Sequence, residues 1–260
     1  VNKGRLLLLV LMTTLFSLLS TTSPTFAATT WRYTALGDSL GTGFGSWYGY
    51  VYRYRDYIAA DTGNDVLLTN QSVNGWTSAD LANALQTDAD LRNAVASAQV
   101  VTWNIGGNDL LGARNRYIRG TCGGVDQEDC LRQAVVHFKR NWDQIVDSIQ
   151  GLRAGQPTLY RTMDVYNPFV DEDKHALGAD RSKTRFEILK PCLDEINRHI
   201  HERQTKGYDV AKVYDAFNGP NHDQDPGAKG LLFWDGVHPN DQGQRLIAEA
   251  FRKLGYASLH

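Results

Sequence analysis

Short runs rich in β-branched and aromatic residues alternate along this chain with longer segments whose apolar residues recur at helical spacing. The runs Tyr33–Leu36, Val66–Thr69, Val100–Ile105, Thr158–Met163 and Val210–Tyr214 predict strands. Tyr48–Ala60, Ser78–Leu85, Leu131–Leu152, Lys183–Gln204 and Asp241–Leu254 predict helices. The third helix gives the clearest signal. Val135, Phe138, Trp142, Ile145, Ile149 and Leu152 fall at three- and four-residue steps and make one apolar stripe. Alternation of this kind implies an α/β fold, a three-layer α/β/α arrangement around a mainly parallel sheet covered on both faces. The chain has 260 residues, 42% of them apolar, enough for one well-buried core, and no repeat or linker divides it. Two connections, Leu111–Asp129 and Tyr166–Asp180, read as long loops.

In open parallel sheets, ligands bind beyond the carboxyl ends of the strands. Four pieces of sequence fall there. Gly37-Asp38-Ser39-Leu40 follows the first predicted strand, the Asn70 to Gly75 turn the second, and Gly106-Gly107-Asn108-Asp109 the third. Asp235-Gly236-Val237-His238-Pro239 follows the last strand through a loop. Taken singly, Ser39 reads as a helix cap, Gly75 and Asn108 as turn formers, and His238 as an exposed loop histidine. Together they supply what attack on an ester carbonyl requires. Ser39 offers a hydroxyl at a strand-to-helix break. His238 offers a base, with Asp235 three residues upstream to orient the ring and Pro239 to hold it on extended backbone. The N–H groups of Ser39 and Gly75 and the Asn108 amide would receive the negative charge that develops on the carbonyl oxygen. Acid that protonates the imidazole should then suppress hydrolysis.

Other chemistries fit less well. The formal charge is −2 and gives no basic footprint for nucleic acid. His199 and His201 are two apart on a predicted helix and face different ways, which disfavours a metal pair. Asp223 to Gly227 lacks the closing acidic residue of a calcium loop. Gly41, Gly43 and Gly45 match a nucleotide loop only loosely.

The first residues form a separate object. Lys3 and Arg5 precede an apolar run, Leu6 to Leu19, and a small-residue exit ends at Ala27-Ala28. This is the pattern of a secretory signal peptide over residues 1–27, with the hydrolase domain over 28–260. A permanent anchor is the alternative, but spanning needs about 20 apolar residues, and Thr13, Thr14 and Ser17 dilute the run. Stable membrane insertion is therefore not expected after cleavage. In an oxidising compartment Cys122 and Cys130, in a Gly- and acid-rich stretch, are expected to pair, leaving Cys192 as a buried thiol.

The four pieces, in this order and spacing, resemble the GDSL esterase/lipase family, also called SGNH hydrolases. Gly37-Asp38-Ser39-Leu40 matches its first block, Asn74-Gly75 resembles the second, Gly106-Gly107-Asn108-Asp109 matches the third, and Asp235-x-x-His238 the last. The stretch Val165-Tyr166-Asn167-Pro168-Phe169 resembles one found in secreted bacterial members. The resemblance implies a flavodoxin-like sheet, no cofactor, and Ser39, Gly75, Asn108, Asp235 and His238 in the roles given above. It also implies a small-molecule or lipid ester as substrate, an extracellular location and a monomer. Glycan O-deacetylation and phospholipid acyl hydrolysis on the same site are the alternatives. The aromatic residues Tyr50, Tyr54 and Tyr57 fit one helix face, which suits packing on the sheet better than lining an acyl pocket. Trp103 and Trp234 flank the third and last blocks and read equally as site border or core.

Overall fold

A computed structural model describes residues 29–257; the expected signal peptide, residues 1–27, lies outside them. Five strands form one sheet: β1 (Thr30–Gly37), β2 (Asp65–Asn70), β3 (Val100–Asn104), β4 (Leu159–Met163) and β5 (Asp209–Ala211). Every pairing is parallel, and the order across the sheet is β2-β1-β3-β4-β5. Parallel neighbours demand crossovers, and the crossovers are helices, so both faces are covered. β3 is buried along its whole length, whereas the edge strand β2 is exposed at every other residue.

The helices are α1 (Ser39–Thr42), α2 (Tyr50–Thr62), α3 (Ser78–Thr87), α4 (Ala89–Ser97), α5 (Gly107–Ile118) and α6 (Asp129–Leu152). They continue with α7 (Val170–Lys174), α8 (Arg185–Glu202), α9 (Val213–Asn218) and α10 (Asp241–Arg252). One layer is built on α2 and α10, the other on α3, α4, α5, α6 and α8. The α6 stripe lies where its spacing requires: Phe138, Trp142, Ile145 and Ile149 are fully buried, and Val135 and Leu152 pack at its edges. Each such side chain contributes about 1.5–3 kcal/mol by leaving water. Trp103 belongs to this core, with its ring 6.1 Å from that of Trp142. Tyr50 and Tyr54 are also buried, in keeping with a helix packed on the sheet.

Three expectations shift. Leu111 to Ile118 is helical, the last two-thirds of α5, because Ala113 and Tyr117 pack on a small second core. The connection after Tyr166 contains α7. The strand expected over Val210–Tyr214 stops at Ala211. There the Asp164 carboxylate takes the Tyr214 N–H at 2.7 Å and starts α9, so β-prone Val213 and Tyr214 enter a helix.

Cys122 and Cys130 are bonded, and close the turn between α5 and α6. Both are buried in the second core with Ala113, Tyr117, Leu131 and Ile188. Cys192 is the free cysteine among the described residues; it is half-buried, and burial pushes its thiol up to about 11. No helix among the described residues is long and apolar enough to cross a membrane. A double Cys122→Ser, Cys130→Ser variant is expected to lose about 2–3 kcal/mol of stability, the closure entropy of so short a loop. Urea unfolding of the variant against the oxidised protein checks this; equal midpoints and slopes would show that the second core alone holds the turn.

Candidate active site

The site lies at the carboxyl edge of the sheet, where strand order reverses between β1 and β3. β1 ends at Gly37, whose φ is +148°. A Cβ there would stand 2.4 Å from the Asn104 carbonyl oxygen, so only glycine lets the chain turn against β3. Asp38 then caps α1. Its Oδ1 accepts from the Leu40 N–H at 2.9 Å and from Asn104 Nδ2 at 2.6 Å. Asn104 Oδ1 accepts in turn from the Tyr50 hydroxyl at 2.7 Å. Ser39 is the first residue of α1, so its N–H has no partner within the helix. Its hydroxyl lies 2.8 Å from His238 Nε2.

His238 sits on a turn that carries its own partner. Asp235 Oδ1 accepts from the Val237 N–H at 2.9 Å and the His238 N–H at 3.0 Å, while Oδ2 faces His238 Nδ1 at 2.6 Å. Partial burial works to raise the Asp235 carboxyl, but the His238 and Val237 N–H groups and the ring outweigh it and hold it below its ordinary value. The Phe233 N–H donates to His238 O at 2.7 Å, and the Tyr166 hydroxyl donates to Val237 O at 2.5 Å. The Phe44 ring stands 4.6 Å from the imidazole. Beyond Pro239, Asn240 caps α10, accepting from the Gln242 and Gly243 N–H groups. α10 buries Ile247, Ala248 and Phe251, and Phe251 stacks on Tyr50 at 5.3 Å. His238 is thus seated by a helix that packs on the same tyrosine that braces Asn104.

The second and third blocks are tied to this pair by hydrogen bonds. After β2 the chain continues along β1, with the Val73 N–H on Gly37 O at 2.9 Å. Asn70 Nδ2 donates to Gly41 O at 2.8 Å, and the Thr42 hydroxyl to Asn74 Oδ1 at 2.6 Å. Gly75 follows at φ +82°, a left-handed turn position that suits glycine. Asn108 Nδ2 donates to Trp76 O at 2.8 Å, which uses one amide hydrogen and leaves the second. Asp109 secures the start of α3, accepting from the Ser78 N–H at 2.8 Å and its hydroxyl at 2.5 Å. Burial raises the Asp109 carboxyl despite these bonds.

Ser39, Asn108 and His238 therefore line one cleft, with Asp38 and Asn104 in its wall. Asp235 stands behind His238. Gly75 lies on the exposed turn beside the cleft rather than in its lining, linked to Asn108 through Trp76 O. Cys122 and Cys130 are away from it, in the second core. Trp234 is 86% exposed and absent from the lining of the cleft; its ring lies 5.3 Å from that of Phe233. His199 and His201 face different partners, Asp143 at 3.0 Å and Asp164 at 2.9 Å. In the sequence, Asn104 has no part in the site, Tyr50 only a packing role and Tyr166 only a place in the Val165–Phe169 stretch. The available signal for Asn104 is a polar residue ending a strand whose other members are apolar except Thr102.

A hydroxyl bonded to an imidazole, with a carboxylate on the ring's far nitrogen, can lose its proton while attacking an electrophilic carbon. Residues 33–251 match the family model for the GDSL-like lipase/acylhydrolase. The chain belongs to the GDSL-like lipase/acylhydrolase family. A spore germination lipase, LipC, of Bacillus licheniformis is 26% identical over 236 residues, covering 88% of this chain and 99% of that one. Among solved structures, the lipase Lip_vut3 from a goat rumen metagenome superposes with a TM-score of 0.73 at 25% identity, over 88% of this chain and all of that one. An extracellular lipase of Streptomyces rimosus shares the fold, with a TM-score of 0.58 at 20% identity over 87% and 99%. Like other GDSL proteins, the chain is a carboxylic ester hydrolase.

The GDSL aspartate, Asp38, has an unusual electrostatic position. Burial pushes it from 3.8 up to about 6, against the opposing pull of the Leu40 N–H, the Asn104 amide and His238. A carboxyl raised only in the folded state withdraws stability as pH climbs from 3.8 to about 6, and the loss persists above that window. The full effect is about 2–3 kcal/mol. Asp38→Asn keeps an acceptor for Leu40 and Asn104 but cannot ionise. The unfolding free energy of the wild type is expected to fall relative to the variant between pH 4 and 6 and to run parallel above pH 7. Profiles parallel throughout would show that Asp38 titrates as an ordinary carboxyl.

Proposed function

We propose that the protein hydrolyses carboxylic esters through an acyl-enzyme on Ser39. His238 takes the hydroxyl proton as Ser39 Oγ attacks the ester carbonyl, and Asp235 holds the ring and balances the charge it gains. The carbonyl oxygen becomes an oxyanion facing the N–H groups of Ser39 and Gly75 and the Asn108 amide, donors worth about 3–4 kcal/mol each. Collapse expels the alcohol, which leaves with the proton from His238. Water, deprotonated by the same nitrogen, then attacks the acyl carbonyl, and the acid departs as Ser39 recovers its proton. The observation that carries this reading is the 2.8 Å contact between Ser39 Oγ and His238 Nε2, which brings together residues 199 apart in sequence. Asp235 supports it, because three hydrogen bonds fix the carboxylate and the ring in one orientation.

Export belongs to the same proposal. Removal of residues 1–27 would deliver the chain to a compartment where a Cys122–Cys130 bond persists.

Fluorophosphonate labelling of the purified protein, with Ser39→Ala as control, tests the nucleophile directly. Labelling is expected in the wild type and not in Ser39→Ala, and Ser39→Ala or His238→Ala should lose nearly all p-nitrophenyl ester hydrolysis. Asn108→Ala should lower kcat by about 10²–10³ while remaining open to labelling. Near-normal turnover by Ser39→Ala would discard the mechanism.

A further inference from the structure

The cleft at Ser39 does not end at the reacting atoms. It continues as an apolar chamber along α5, past Leu110 and Leu111, to a back wall of Leu131 from α6 and Leu189, Cys192 and Leu193 from α8. Leu131, Leu189 and Cys192 belong to the second core or pack on it, the core that the Cys122–Cys130 bond closes. Besides Asp38 and His238 at the Ser39 end, the lining holds Asp164, engaged by the Tyr214 N–H and by His201, and the pair Arg114 and Asp173. Arg114 Nε donates to Asp173 Oδ2 at 3.0 Å, its second nitrogen reaches Asp173 Oδ1 at 2.8 Å, and its guanidinium lies 3.8 Å over the Phe169 ring. Glu172 at 2.9 Å from Arg114 and Arg185 at 3.1 Å from Asp173 complete the cluster, so two cations balance two anions and no net charge from it faces the chamber. An apolar chain meets no unbalanced charge there.

We propose that this chamber takes the acyl half of the substrate, a medium-length aliphatic chain running from Ser39 along α5 until it meets Leu131, Leu189 and Cys192. The inference rests on the Ser39 reading, since it takes the acyl carbon to be held there. The scale follows from the helix. The lining runs from Gly107 to Arg114, a rise of about 10 Å, which matches an extended chain of about eight carbons. Short acyl groups leave the far part of the chamber empty and forgo its contacts. Each methylene withdrawn from water can improve binding of the transition state by up to about fourfold. Leu131, Leu189 and Cys192 are then specificity-determining positions, and the disulfide-closed turn holds one of them in place.

Two measurements test this. The first is kcat/KM for p-nitrophenyl acetate, butyrate, octanoate and palmitate, in the wild type and in Cys192→Trp. In the wild type the octanoyl-to-acetyl ratio is expected to exceed ten, and the Trp side chain, by filling the far end, should lower that ratio at least tenfold. The second needs no catalysis. The Cys192 thiol of the Ser39→Ala protein is allowed to react with methyl methanethiosulfonate in the presence of sodium octanoate or sodium acetate. Octanoate should slow the reaction at least threefold, and acetate should not. A wild-type ratio at or below one, as an acetyl-glycan esterase would give, overturns the proposal; so does a ratio that Cys192→Trp leaves unchanged, or a thiol rate indifferent to octanoate. If near-UV circular dichroism shows that Cys192→Trp does not fold, the thiol rates decide alone. If the wild type hydrolyses no ester and takes no fluorophosphonate label, the Ser39 reading fails, and the thiol rates still decide whether the chamber holds an aliphatic chain.

Discussion

The Asp38 carboxylate, enclosed against the Asn104 amide at 2.6 Å, ties the site to the sheet. It joins the turn after β1 to the end of β3, the two strands between which the order reverses. Three elements depend on that contact. α1 begins there because Asp38 caps it, Ser39 takes its position from α1, and Tyr50 reaches in from α2 to complete Asn104. A carboxyl in this position is uncomfortable, as its raised pKa records. Such discomfort at a functional site is common: groups are kept for what they position rather than for the stability they add.

The two sides of the candidate site are built differently. Asp235 and His238 share one short turn, so their geometry is set by local hydrogen bonds and survives small movements of the body. The Ser39 to His238 contact is long-range and depends on how the layer of α2 and α10 sits on the sheet. Asn108 and Gly75 come from the opposite side, braced by Asp109, Ser78 and the Trp76 carbonyl. Aromatic packing of Phe251 on Tyr50 and of Phe44 on His238 holds the halves in register.

Much of this was legible in the residues. Apolar runs of strand length and the six-residue stripe of α6 suffice for a parallel sheet covered on both faces, because burial alone dictates both patterns. The edge where Ser39, Asn108 and His238 meet follows from chain order once the strands are placed. Less legible was whatever rests on a polar partner far away in sequence. Val213 and Tyr214 prefer strands by composition, yet Asp164 converts them to a helix start. α5 hides behind Gly106, Gly107 and Gly112, and its apolar side becomes visible only against α6 and the disulfide-closed turn. The bracing roles of Asn104, Tyr50 and Tyr166 depend on contacts across 54 to 71 residues, which no local pattern encodes.

The seating of His238 by α10 gives the molecule a temporal order. Synthesis delivers Ser39 early and the histidine late, and the helix that fixes the imidazole later still. A nascent chain thus carries Ser39 with no imidazole beside it. The pairing of hydroxyl and imidazole therefore waits until the last described helix has docked on the sheet.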